Sequence, residues 1–181
     1  IRHAESCGQS ASIRTGVRYA RGRVIVTIDG DGQNDPQFIP EMLAAMEAGG
    51  DTVAMVAGER QGRKASWAKR YGSRAANGLR RTMLNDGTRD TGCGLKAIRR
   101  EVFLELPYFD GWHRYLPALV KREGGSVRYV DVVDRERLFG ASHYGLWDRA
   151  AVGILDLFGV WWLMRRRRRI QSPKEVRSDG Q

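Results

Sequence analysis

Asp29 and Asp31, one glycine apart, and Gln33 two residues further on are the positions whose types and spacing point most directly to chemistry. Two carboxylates separated by one small residue can both reach a hard divalent cation, and a glutamine amide adds a neutral oxygen. Oxygen sets of this kind suit Mg2+ or Mn2+, ions that commonly also hold substrate phosphates. Gly30 and Gly32 let the backbone turn tightly enough for the three side chains to converge. A calcium loop of the EF-hand type is excluded, because a register starting at Asp29 needs glycine where Asn34 stands and glutamate where Pro40 stands. No Gly-Lys-Ser/Thr phosphate loop follows a strand. Cys7, Cys93, His3, His113 and His143 are too scattered for a zinc site or a disulfide framework.

The elements that must position these residues alternate in type. Val24 to Ile28 is a short β-branched run of the kind buried in a parallel sheet, and it ends at Asp29. Helices are predicted over 9–20, 40–48, 66–84, 100–106 and 113–123, with further strands over 52–57, 95–98 and 127–133. The pattern predicts an α/β fold with a mostly parallel sheet and flanking helices, in which ligands bind beyond the carboxyl ends of the strands. Ile1-Arg2-His3 reads as the end of a strand, and without an initiator Met the chain is expected to be a fragment lacking its N-terminal part.

Composition narrows the class. The 181 residues carry 31 Lys and Arg against 21 Asp and Glu, a net charge of +10, with 41% hydrophobic and 29% charged residues. That is a globular, basic chain with the length of a single domain. A basic total alone invites a nucleic-acid-binding module, but an acidic loop at the ligand end of the sheet repels phosphates unless a metal intervenes. The charge is concentrated in Arg165–Arg169, directly after the apolar stretch 150–164 that ends in Trp161-Trp162. Fifteen residues interrupted by Asp156 are too few to span a bilayer, which takes about 20. Tryptophan and arginine at its end suit the headgroup level instead. An amphipathic helix at the membrane interface is expected over 146–169, followed by a polar tail over 170–181.

Several ordered blocks carry a resemblance. Gly8-Gln9-Ser10-Ala11, Arg14-Thr15-Gly16 and Val26-Thr27-Ile28-Asp29-Gly30-Asp31-Gly32-Gln33-Asn34-Asp35-Pro36 resemble the family-2 glycosyltransferases, and within them the dolichol-phosphate (polyprenyl-phosphate) mannosyltransferases. Ala57-Gly58-Glu59-Arg60, Arg89-Asp90-Thr91-Gly92-Cys93-Gly94-Leu95-Lys96 and Arg137-Leu138-Phe139-Gly140-Ala141-Ser142-His143-Tyr144 extend it to about Arg169. The resemblance implies a glycosyltransferase-A-type, Rossmann-like catalytic domain over 1–145, lacking its first strands. It implies an inverting transferase at the cytoplasmic membrane face, moving a hexose onto a polyprenyl or dolichyl phosphate, with mannose from GDP-mannose as the expected donor and UDP-glucose or a UDP-aminosugar as the alternative. Nucleic acid is not an expected partner.

Residue by residue, the resemblance assigns Asp29, Asp31 and Gln33 to the metal that holds the donor diphosphate. Arg60 is assigned to face the lipid phosphate. Lys69 and Ser73, one helical turn apart, form a second phosphate-contacting element, joined by Arg137 and Ser142 of the Arg-x-x-Gly-x-Ser block. Asp90 is assigned a place near the reacting centre, and Asp31 is the second candidate catalytic carboxylate. His143 stands where a lysine is frequent in the family.

Overall fold

The computed structural model describes residues 1–61, 78–88, 90–135 and 146–167, the side chains of 146–151 excepted. Residues 1–7 run without regular structure, so the strand end expected at Ile1-Arg2-His3 is absent; His3 instead meets the Thr15 hydroxyl through its Nε2 at 2.9 Å. Helix α1 (Gly8–Tyr19) turns Ile13 and Val17, one helical turn apart, inward. Strand β1 (Val24–Thr27) follows the break at Gly22. Asp35 accepts a hydrogen bond from the Gln37 amide at 3.0 Å and so caps a short 3-10 turn leading into α2 (Ile39–Glu47). That helix buries Met42 and Met46 on one stripe.

Strand β2 (Val53–Arg60) is longer than the sequence predicts, running three residues past Ala57 to Arg60. Residues 78–84 are helical. Strand β3 (Lys96–Arg99) leads into α3 (Arg100–Glu105). A 3-10 turn at Trp112–Arg114 and helix α4 (Leu116–Arg122) replace the single helix expected over 113–123, with Pro117 in the first turn where its missing N–H costs nothing. Strand β4 (Ser126–Val132) and helix α5 (Leu146–Arg165) complete the described residues.

The sheet has the order β1-β3-β2-β4. Strands β1, β2 and β4 point the same way, whereas β3 runs antiparallel to both neighbours, pairing Lys96 with Thr27 on one side and with Ala57 on the other. The reversal follows from the connection: residues 90–95 lie at the carboxyl end of the sheet, Asp90 on Arg60 and Gly94 beside Asp29, so the chain enters β3 from that end. Alternation along the strands builds two cores. Met55, Ala57 and Ile98 face α1, α3, α4, α5 and residues 78–84, while Val56, Ala97, Leu95 and Val132 face α2. Three strand ends and one strand start therefore meet at a single edge: Asp29 beyond β1, Arg60 closing β2, Asp134 beyond β4, and the loop 90–95 before β3.

Candidate active site

Asp29 leaves β1 into a turn whose backbone is fixed by side chains. The Asp29 N–H donates to Asn34 Oδ1 at 2.9 Å, and Asn34 is buried. Asp31 Oδ1 accepts the Gln33 N–H at 3.1 Å, an Asx turn that folds the loop back on itself. Arg135 closes the loop from the far side, its N–H on the Gln33 carbonyl at 2.7 Å and its Nε on Asp35 Oδ2 at 2.7 Å. The Gln37 amide, and then Arg135, hold the Asp35 carboxyl below the usual carboxylate range.

Asp29 and Asp31 open on a groove of about 1120 Å3 running along β1 and α1, its floor including Lys96 and its far wall His113 and Arg114. Gly92, Cys93 and Gly94 form the wall beside the two carboxylates. Gly94 is required there, since a Cβ would lie 2.2 Å from the Asp29 carboxyl carbon. Gln9, in the first turn of α1, donates to Asp29 Oδ1 at 3.1 Å. Burial raises the Asp29 pKa; the Lys96 ammonium works against the rise and the Asp31 charge adds to it. Among the described residues no Lys or Arg lies within ion-pair distance of Asp29.

These two carboxylates fit a divalent cation. A buried carboxylate beside a second negative charge is relieved on both counts by a positive ion, and one or two carboxylates plus substrate phosphates are the usual Mg2+ set. Among the described residues no three His, Cys, Asp or Glu side chains form a ready-made metal cage. Gln33, expected as a third ligand, is not among the residues lining the groove; its backbone is taken up by Asp31 and Arg135.

Arg60 departs from expectation more strongly. Its Nε and Nη2 grip Asp90 Oδ2 and Oδ1 at 2.5 and 2.8 Å, and its Nη1 lies 3.3 Å from Asp134 Oδ2. The fork expected to face a lipid phosphate is thus spent on two carboxylates, because the end of β2 lies between the loop before β3 and the end of β4. Burial works to raise the Asp90 pKa, but Arg60 and the Gly92 N–H more than offset it and hold the carboxyl low. The same pair raises the Arg60 pKa further above its already high value. A side chain at Gly92 would press on this fork, its Cβ 2.8 Å from Arg60 Nη2.

Four residues without an assigned role in the sequence reading help to build the site. Asp134 accepts from Arg60 and, at 3.4 Å, from Asn34 Nδ2, so it joins the Asp29 turn to the Arg60–Asp90 pair. Lys96 is buried, its Nζ on the Cys93 carbonyl, and burial lowers its pKa. Asp86, wholly buried, pairs with Arg80 at 2.6 Å and caps the Thr88 N–H, pinning the loop that leads to Asp90. Gln9 reaches Asp29 as described. Gln9 and Lys96 fall inside the resemblance blocks, which is a signal of sorts; Asp86 and Asp134 carry none. Lys69, Ser73, Arg137 and Ser142 lie outside the described residues.

Comparison with known proteins follows the same outline. The family described as Glycosyl transferase family 2 matches residues 1–106. The chain is 35% identical over 161 residues to a dodecaprenyl-phosphate galacturonate synthase of Rhizobium johnstonii, covering 87% of this chain and 47% of that protein. It is 32% identical over 139 residues to an undecaprenyl-phosphate 4-deoxy-4-formamido-L-arabinose transferase of Edwardsiella ictaluri, covering 77% and 42%. It therefore spans less than half the length of these curated relatives. Among solved structures, mannosyl-3-phosphoglycerate synthase from Rubrobacter xylanophilus matches with a TM-score of 0.65 at 15% identity, over 98% of this chain and 58% of that one. Glucosyl-3-phosphoglycerate synthase from Mycobacterium tuberculosis, in complex with Mn2+, UDP and glucosyl-3-phosphoglycerate, gives 0.60 at 15% identity, over 88% and 55%. At such identities the likeness shows the fold alone, and it bears out the expected glycosyltransferase-A-type sheet with flanking helices.

Proposed function

Because the chain belongs to glycosyl transferase family 2, we infer that it serves to transfer a sugar from a nucleoside-diphosphate donor to the phosphate of a polyprenyl lipid, with inversion at the anomeric carbon. The observation that carries this reading is the pair Asp29 and Asp31, set at the carboxyl end of β1 and opening together on the groove. The names of the curated relatives support a polyprenyl-phosphate acceptor. Those names carry galacturonate and a formamido-arabinose, and neither carries mannose. A nucleotide-linked uronic acid or N-substituted aminosugar therefore goes ahead of GDP-mannose as the donor.

Asp29 and Asp31 are the residues that would hold Mg2+ or Mn2+, whose chemistry when bound is to offset the charge of the departing diphosphate. The acceptor needs little activation, since a phosphate monoester has a second pKa near 6 and is largely dianionic at neutral pH. One of its oxygens attacks the anomeric carbon as the bond to the donor diphosphate breaks. Asp90, kept ionised by Arg60, suits a fixed hydrogen-bond acceptor for a sugar hydroxyl better than it suits a base. Arg60 braces Asp90, and Lys69, Ser73, Arg137 and Ser142 are the groups we assign to the acceptor phosphate. The lipid tail would keep the reaction at a membrane surface, which we place at the cytoplasmic face.

A donor panel tests the reading: labelled sugar from UDP-galacturonate, UDP-aminosugars, UDP-glucose and GDP-mannose, offered with undecaprenyl phosphate to the full-length protein. Lipid-linked product from one donor, lost on chelation and restored by Mn2+, is expected. Absence of lipid-linked product with every donor overturns the acceptor class, and turnover indifferent to chelation overturns the metal.

A further inference from the structure

Helix α5 is apolar on two faces. Leu157, Val160, Trp161 and Met164 pack into the core with α4. On the opposite side Leu155 is 71% exposed, and Val152, Phe158 and Trp162 are each more than half exposed. Spacings of three and four place Val152, Leu155, Phe158 and Trp162 on one outward stripe. An ordinary surface helix is polar there. The simple amphipathic helix expected from the sequence is thus replaced by one with an apolar stripe on each side. Among the described residues no helix is long and apolar enough to cross a membrane.

The C-terminal end of the stripe is cationic. Arg165 lies over the Trp161 ring at 4.2 Å from its centroid, and Arg166 over the Trp162 ring at 5.6 Å. Arg167 turns back to Glu123 at the end of α4, 3.4 Å away, so Arg165 and Arg166 are the exposed guanidinium groups here, and the sequence continues with Arg168 and Arg169. Arg166 thus closes the outward stripe at Trp162, with Arg165 beside it over Trp161. Apolar side chains bordered by arginines, with tryptophan between them, match the acyl-to-headgroup boundary of an anionic bilayer.

The direction of α5 decides how it meets that boundary. Gly153 accepts from the Tyr115 hydroxyl at 3.1 Å, and Leu163 accepts from Arg122 Nε at 3.0 Å, so α5 runs the same way as α4. Helix α4 begins beside the groove, where His113, Arg114 and Leu116 line it. It ends at the turn before Ser126, beside Val53 at the amino ends of the parallel strands. The arginines consequently lie at the end of the molecule away from the site, roughly 30 Å of helix from its start. A membrane touched only by the arginine end would lie across the molecule from the groove.

We propose that α5 lies flat on an anionic membrane surface, with Val152, Leu155, Phe158 and Trp162 entering the acyl boundary and Arg165 and Arg166 on the headgroups, so that the groove opens along the membrane rather than away from it. This deepens the function proposed above by naming the surface from which a lipid acceptor is delivered. Binding is measured without turnover, so failure of either reading leaves the other intact.

The test is co-flotation of the full chain with phosphatidylglycerol-containing vesicles against pure phosphatidylcholine. Preferential binding to the anionic vesicles is expected, weakened about thirtyfold when Arg165 and Arg166 are both changed to Gln. Leu155→Gln with Phe158→Ser should weaken it more than tenfold while leaving the circular dichroism and Tm unchanged, because both side chains already face outward. For orientation, an environment-sensitive dye is placed on Val152→Cys or on Trp162→Cys in a Cys7→Ser background, Cys7 being the exposed cysteine. A flat helix gives blue shifts at both positions; a shift at 162 alone means an end-on contact and overturns the orientation. Equal binding to both vesicle types, or a dimer in sedimentation that the Leu155/Phe158 variant dissolves without any vesicle binding, overturns the proposal.

Discussion

Two carboxylates of the candidate site are treated in opposite ways by their surroundings. Asp29 is held by neutral groups, its carboxylate accepting from the Gln9 amide and its backbone N–H donating to Asn34 Oδ1, and burial raises its pKa. Asp90, one strand away, is gripped by both arms of Arg60, which has a second carboxylate, Asp134, on its third nitrogen. The first arrangement leaves negative charge to be answered by something that arrives. The second is answered already and behaves as a brace. Residue type does not separate them; what separates them is whether an arginine is anchored at the neighbouring strand end.

That difference predicts unequal responses to substitution. Asp31→Ala should cost about a thousandfold or more in transfer, since we assign the Asp29–Asp31 side to a ligand, and about 1 kcal/mol in stability from the Gln33 N–H it no longer caps. Measured turnover close to the parent would remove the functional half of the contrast. Arg60→Lys keeps the charge but loses the planar fork, and should lower both activity, by about tenfold to a hundredfold, and stability, by about 2 kcal/mol in denaturant unfolding. A variant that lost activity with unchanged stability would mean that Arg60 acts on substrate and not as a brace.

The Asp29 side was readable in the sequence for a local reason. A β-branched run ending in Asp-Gly-Asp-Gly is a strand closing into a tight turn, and both carboxylates fall within three residues of the strand end. The Asp90 side was not, since Arg60 meets Asp90 across 30 residues and Asp134 across 74. No local period announces such pairs. The resemblance marked Arg60 and Asp90 as a place but not as partners, and Asp134 carried no mark. Strand direction was hidden in the same way: the pattern of Lys96–Arg99 suits a buried strand of either sense, and only the path of residues 90–95 makes β3 antiparallel. For α5 the composition pointed to an interface, but which apolar residues face the core depends on where α4 lies, and no single-helix pattern contains that.

The first turn of α1, behind Asp29, supplies a pH test. Ser10 Oγ accepts the Gly111 N–H at 2.9 Å and shares a hydrogen bond of 2.8 Å with His113 Nδ1, which places the imidazole against the buried start of α1. Burial, and then the nearby Arg114 charge, push the His113 pKa down to about 4. A histidine depressed from 6.5 in the unfolded chain favours the fold fully above pH 6.5, and that contribution is lost as pH falls towards 4. Discounted for partial exposure, the loss is about 1 kcal/mol. His113→Gln should flatten the stability curve over that window by this amount. A parent and variant with parallel curves between pH 6.5 and 4 would show that the proton is not excluded.

Asp134→Asn carries the smallest change and addresses the connection between the two sides. The amide has one acceptor oxygen, so it keeps the hydrogen bond from Arg60 or the one from Asn34 but not both, and one negative charge is removed. With both partners about a fifth exposed or less, the loss in stability should be about 0.5 kcal/mol. Arg60 then faces one carboxylate instead of two, and its field becomes more positive towards an incoming dianion. The acceptor KM is therefore expected to fall a fewfold, while donor KM and metal requirement stay where they were. If donor KM shifts by the same factor, the turn at Asp29 has moved with Asp134, and the two carboxylate environments are one mechanical unit rather than a ligand site beside a brace.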